Sequence, residues 1–135
     1  MRNENRLFER GGDALRLVTI DDPMTNHDDL PRALQGSSPS EFRFVLSHAP
    51  ELAWELSKEN VDFVLAGHTH GGQICLPGGE PIVVPCSPGK ALAKGLCYYR
   101  DIPFYVSRGI GVTTAPLRTF CPPEITHLTL RRGTR

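Results

Sequence analysis

The chain has 135 residues, enough for one domain, and a compact fold of that size buries about two thirds of the surface its unfolded form exposes. Lys and Arg number 15 against 15 Asp and Glu, a balance that excludes a basic footprint for nucleic acid or a polybasic membrane anchor and points toward a small or neutral partner. Cys75, Cys86, Cys97 and Cys121 include no C-x-x-C pair, which argues against a zinc ribbon or thioredoxin-like motif and predicts four reduced, mostly buried thiols.

Residues 1–10 are polar and charged, without the apolar core of a secretory signal or the long apolar run of a membrane span, so this chain by itself reads as soluble and cytoplasmic. Gly11-Gly12-Asp13 is a turn signal, and residues 15–20 alternate Leu15, Leu17 and Thr19 against Arg16, Val18 and Ile20, which predicts a strand. Asp21-Asp22-Pro23 ends it, and the stretch to Ser40 is rich enough in Asp, Gly and Pro to allow one short helix at most. FRFVLS (42–47) and VDFVLA (61–66) read as buried strands. Between them, residues 50–60 place Leu52, Ala53 and Leu56 on one face at helical spacing, behind Pro50 at a first-turn position. The expectation is a helix of about three turns, with Trp54 packed on the sheet. Strand, helix and strand in succession make a βαβ unit.

From Gly67 to Pro123 there are 9 Gly and 8 Pro in 57 residues, interrupted by IVV (82–84), YY (98–99) and FYVS (104–107). Such islands favour short strands joined by tight turns over disorder. Residues 74–76 are expected to extend a strand out of a turn at 71–73, and residues 124–130 alternate again as a final strand. The whole pattern is α/β (α+β), without an internal repeat.

Chemistry concentrates at His48, which ends the first apolar run, and at Gly67-His68-Thr69-His70-Gly71-Gly72, which ends the second. α/β sheets place their sites just beyond the carboxyl ends of adjacent strands. A lone histidine there is more often structural than a ligand, but three converging from two strand ends suggest a metal centre, since imidazole suits Zn, Mn, Fe and Ni. In an extended segment His68 and His70 would point to the same side, whereas in a tight turn they would diverge toward two centres. The sequence leaves both open. Arg108 and Arg118 have the fork geometry to hold a phosphate, or else pair with acidic neighbours such as Asp101 or Glu124. Gly71, Gly72 and Gln73 either shape the mouth of the site, Gln73 orienting a ligand histidine, or form a plain turn. Asp21 and Asp22 read as solvated loop residues, and His27 and His127 as bystanders.

LSHAPE (46–51) followed by DFVLAGHTHGGQICLP (62–77) resembles the calcineurin-like metallophosphoesterase family, and the GGQ after GHTH is similar to its bacterial membrane-linked branch. RNE (2–4), IDDP (20–23), YVSRGIG (105–111) and PLRTFCPPEIT (116–126) agree in order, so the likeness spans nearly the whole chain. The resemblance implies two mixed sheets packed face to face with flanking helices, of which this chain would be the carboxy-terminal half, residues 1–135 forming a partial domain. It also implies hydrolysis of phosphomonoesters or phosphodiesters at two divalent metal ions (Mn, Zn, Fe or similar). His48 and His68 would serve one ion and His70 the other, with Gly67, Gly71, Gly72, Gln73, Arg108 and Arg118 around them.

The family's other ligands come from D-x-H, G-D-x-x-D and G-N-H motifs, none of which occurs here; Asp21-Asp22 and Asp28-Asp29 stand in other contexts, before Pro23 and Leu30. The chain is therefore expected to be an incomplete, weakly active or inactive fragment whose partner is the missing amino-terminal half. A mononuclear three-histidine metal module and a non-functional remnant are the alternatives.

Overall fold

The computed structural model describes residues 1–57, 60–131 and 133. Six strands build one mixed sheet: β1 (Glu4–Arg10), β2 (Asp13–Thr19), β3 (Phe42–Leu46), β4 (Phe63–Ala66), β5 (Gly95–Tyr99) and β6 (Ile102–Val106), in spatial order β1-β2-β3-β4-β6-β5. β2, β3, β4 and β6 run parallel, and each edge is closed by an antiparallel hairpin, β1 on β2 and β5 on β6. Parallel neighbours need crossover connections, and the chain supplies these as short pieces: α1 (Leu30–Ala33) before β3 and a 3-10 turn (Pro50–Trp54) before β4.

β1 was not legible as a strand, because charge dominates it, yet an exposed edge strand gains from charge that discourages further pairing. Its register sets Phe8 opposite Leu15 across the Gly11-Gly12 turn. The predicted three-turn helix after Pro50 is instead the single 3-10 segment Pro50–Trp54; Lys58 and Glu59 lie outside the described residues. Asn60 ends the run, its Oδ1 accepting from Ser57 N–H at 2.9 Å while Val61 N–H donates to the Ser57 carbonyl at 3.2 Å, a turn that competes with continued helix. Leu52, Ala53 and Leu56 still face inward, but Trp54 is 54% exposed rather than packed on the sheet. Ile74 and Cys75 form only isolated bridges, with Thr119 and Pro81, while residues 82–84 form no strand and residues 124–130 join no ladder. Side-chain bonds hold the start of that last segment, with Glu124 accepting from Tyr105 and Arg108. Two thiols, Cys75 and Cys121, are buried and two, Cys86 and Cys97, half-buried; all four are free.

Because side chains alternate across a strand, each strand contributes to both faces. Val18, Val45, Val64, Phe104 and Val106 pack on one face under Leu30, Ala33, Leu52, Leu56 and Leu92, forming the core. The opposite face carries Phe8, Leu15, Leu17, Phe42, Phe44, Phe63 and Leu65 by register, with Phe44 and Phe63 stacked at 5.3 Å between centroids.

Candidate metal centre

All four parallel strands end at one edge. Hydrogen bonds continue the ladder one step beyond them: Ile20 N–H to the Leu46 carbonyl, Ser47 to Leu65, Gly67 to His48 and Ser107 to Ala66, at 2.8–3.1 Å. IDDP, SHAP, GHTHGG and SRGIG thus leave the sheet side by side, where open α/β sheets form their sites.

The bond from Gly67 to the His48 carbonyl brings the second histidine segment against the first. His48 Nε2 and His68 Nδ1 stand 3.1 Å apart, with the rings edge to face. His68 Nε2 lies 3.1 Å from the Pro85 carbonyl, which can only accept, so in the neutral ring Nε2 carries the hydrogen and Nδ1 is bare. His48 Nε2–H then donates to that bare nitrogen. Two ligand nitrogens on one ion, at bonds of ~2.1 Å and angles of about 90–109°, lie about 3.0–3.4 Å apart, so the pair fits a chelate. A cation would take the place of the hydrogen the two rings now share.

His70 takes another direction, its Nδ1 3.3 Å from the Gly111 carbonyl. The cause is local backbone: His68 (φ 67°) and His70 (φ 52°) both adopt the left-handed conformation, Thr69 between them does not, and the rings diverge. Histidine tolerates that region better than most side chains, yet each such residue costs on the order of 1–3 kcal/mol and persists only where its surroundings enforce it. Among the described residues no group of three or more His, Cys, Asp or Glu side chains is arranged to hold a metal ion. The residues fit a cation as a pair and not as a closed set.

What enforces the turn was only partly visible in the sequence. Thr69 is buried, its hydroxyl donating to the Ala93 carbonyl at 2.7 Å and accepting from Gly71 N–H. A Cβ at Gly71 would fall 2.5 Å from Arg108 Cγ and 2.8 Å from Cys121 Sγ, and one at Gly72 2.3 Å from Pro81 Cβ; both have positive φ, so only glycine fits. Gln73 does not reach a histidine ring. Its amide donates to the Thr113 and Ala115 carbonyls and its oxygen accepts from Thr113 N–H, stapling residues 113–115 to the turn. Glycine and glutamine in the motif signalled a constrained turn; the partners, 40 and 42 residues away, could not be read.

Both arginines are engaged. Arg108 pairs with Glu124. Burial would raise the Glu124 carboxyl, but bonds from Arg108, Tyr105 and Thr126 outweigh it and hold the group below its usual range. Arg118 donates to the carbonyls of His70, Arg108 and Gly111, binding the SRGIG turn to the histidine turn. Asp21 pairs with Arg2, Asp22 caps a 3-10 turn (Pro23–Thr25), and His27 meets Thr25, so their bonds go to neighbours other than the histidine pair. His127 is exposed on the final segment. No helix of the described residues is long and apolar enough to cross a membrane.

No family model and no solved structure matches the chain. Among curated proteins, it is 38% identical over 120 residues to an uncharacterized metallophosphoesterase, YkuE, of Bacillus subtilis, an alignment covering 89% of this chain and 42% of that one. It is 33% identical over 130 residues to a second from the same organism, YkoQ (93% and 47%), and 35% identical over 127 residues to the phosphodiesterase YaeI of Escherichia coli (93% and 42%). The chain spans less than half the length of these relatives.

Proposed function

The chain belongs to the calcineurin-like metallophosphoesterase family, and we propose that it supplies one part of a phosphoester hydrolase site built on two divalent metal ions. The observation that carries this reading is the His48–His68 pair, two nitrogens at chelating separation beyond the ends of adjacent parallel strands. His48 and His68 hold one ion and His70 belongs to the other, the divergence of the two rings of the turn suiting two centres better than one. A mononuclear three-histidine module draws less support, because His70 turns to Gly111.

When bound, such ions supply a water of lowered pKa and polarise the phosphoryl oxygens. This chain's own contribution is to hold imidazoles neutral and oriented. Pro85 fixes the His68 tautomer, Gly71 and Gly72 admit the close-packed turn, and Arg118 and Gln73 lock the neighbouring loop. Histidine ligands act only when neutral, so metal binding falls as pH drops through the histidine range. With imidazoles and no carboxylate, Zn, Ni or Cu bind this chain more tightly than Mn or Mg.

The remaining ligands and the second sheet come from a partner segment bearing D-x-H, G-D-x-x-D and G-N-H, which also covers the open apolar face. The test is hydrolysis of bis-p-nitrophenyl phosphate with Mn or Zn, by the 135-residue chain alone and joined to such a segment. We expect little turnover alone and metal-dependent turnover when joined. His68→Ala should remove far more of it than the ~10–100-fold that losing a ligand's outer partner costs, and His127→Ala should leave it intact. Equal losses in the two variants, both folded by circular dichroism, reject the assignment.

A further inference from the structure

Glu51 is a buried acid that the proposed site does not use. It is 8% exposed, in the first turn of Pro50–Trp54, three residues after His48. One carboxylate oxygen, Oε1, accepts from Ser87 N–H at 2.9 Å, while Oε2 is buried and has no hydrogen-bond partner among the described residues. Burying a carboxylate is costly unless something is gained from it. The residues it grips form a compact turn: Gly89 N–H donates to the Cys86 carbonyl at 3.0 Å and the Cys86 thiol to the Gly89 carbonyl at 3.4 Å. Burial, and then the charge of Glu51, push that thiol up. Two residues before Ser87, the Pro85 carbonyl meets His68 Nε2.

These contacts close a circuit: His48 leads through the backbone to Glu51, Glu51 to Ser87, Pro85 to His68, and His68 Nδ1 back to His48 Nε2. We propose that Glu51 is a positioning residue, anchoring the 85–89 turn so that the Pro85 carbonyl keeps the hydrogen of His68 on Nε2 and presents a bare Nδ1 beside His48. Residues 85–87 belong to no strand, and Pro85 is exposed; without the anchor its carbonyl has no reason to stay in register with the ring. Loss of such an outer partner typically weakens metal binding 10–100-fold. Insofar as it concerns metal, the inference rests on the proposed function.

Long-range proton–nitrogen NMR correlation on the metal-free chain, above the histidine range, reports which His68 nitrogen bears hydrogen, and zinc titration reports affinity. In Glu51→Ala we expect the Nδ1–H tautomer of His68 to appear and zinc affinity to fall ~10–100-fold; Glu51→Gln, which keeps an oxygen toward Ser87, should retain both. A Glu51→Ala chain that keeps Nε2–H and full affinity overturns the proposal. Should Glu51→Ala fail to fold, Ser87→Pro removes the donor and leaves the acid; it must reproduce the tautomer change, and an unchanged ring overturns the proposal equally. His48→Ala and His68→Ala, if they bind zinc as tightly as the parent, sink the metal reading, while the metal-free tautomer still decides the role of Glu51.

Discussion

On one face of the sheet Val18, Val45, Val64 and Phe104 are wholly shut off from water, whereas on the other Phe8, Phe42, Leu96 and Tyr98 keep 41–65% of their surface exposed. Both faces arise from the same strands by alternation, and both are apolar. The difference lies in what the rest of the chain supplies. The connections through Leu30, Ala33, Leu52, Leu56 and Leu92 all fall on the first face, and parallel crossovers of consistent hand do that. Over the second, the described residues lay only an extended segment: Glu124 and Thr126 bond the Tyr105 hydroxyl, and Leu130 and Gly133 border a space lined by Phe8, Leu15 and Phe42, which line up across three strands. A contiguous apolar face of this kind marks an interaction surface, and under the proposed function it is where the second sheet packs.

Truncation is the most direct way to break this contrast. Phe104→Ala, on the sealed face, should lose about 3–5 kcal/mol, whereas Phe42→Ser on the open face should lose less than ~1 kcal/mol. Urea denaturation measures both, and matching losses would mean that the two faces are equally packed. Next in size is an effect on association: sedimentation velocity of the chain should show self-association, and Phe42→Ser combined with Tyr98→Ser should shift it toward monomer. An unchanged distribution would place the sticky surface elsewhere.

At the strand ends the contrast sharpens into one between open and filled space. Gly72→Ala puts a methyl carbon against Pro81 at positive φ and should destabilise by more than ~1 kcal/mol, while Gly12→Ala in the β1–β2 turn, also at positive φ, meets no atom within 4 Å and should lose less. Thermal melts separate the two, and equal effects would show that strain alone, without the clash, governs the turn.

The smallest effect concerns the rim of the sealed face, where Arg16 on β2 bonds Glu41 and Asn5. The Arg16 guanidinium holds the Glu41 carboxyl down at about 2, against an ordinary value of 4.5. A depressed carboxyl stabilises the fold above its unfolded value, so this contribution is present at neutral pH and lost as pH falls from 4.5 toward 2. Glu41→Gln should flatten that part of the stability profile slightly. An identical slope in variant and parent would assign the acid response to other carboxylates.

Apolar runs and their ends were enough to locate β3 and β4, and with them the place where His48 and His68 emerge, because these central strands carry apolar side chains on both faces and a parallel sheet puts its chemistry at the carboxyl edge. The motifs around them carried the family. β1 escaped, since an edge strand's charge hides its alternation, and the helix after Pro50 shrank to one 3-10 turn, since helical spacing does not weigh Asn60's competing bonds. Only the tertiary structure decided that His68 meets His48 while His70 turns away, that Arg108 and Arg118 are committed to Glu124 and to loop carbonyls, and that Glu51 holds the turn behind His68. Each depends on partners 7–48 residues distant and on backbone angles that hydrogen bonds from those partners enforce, and neither local propensity nor spacing encodes them.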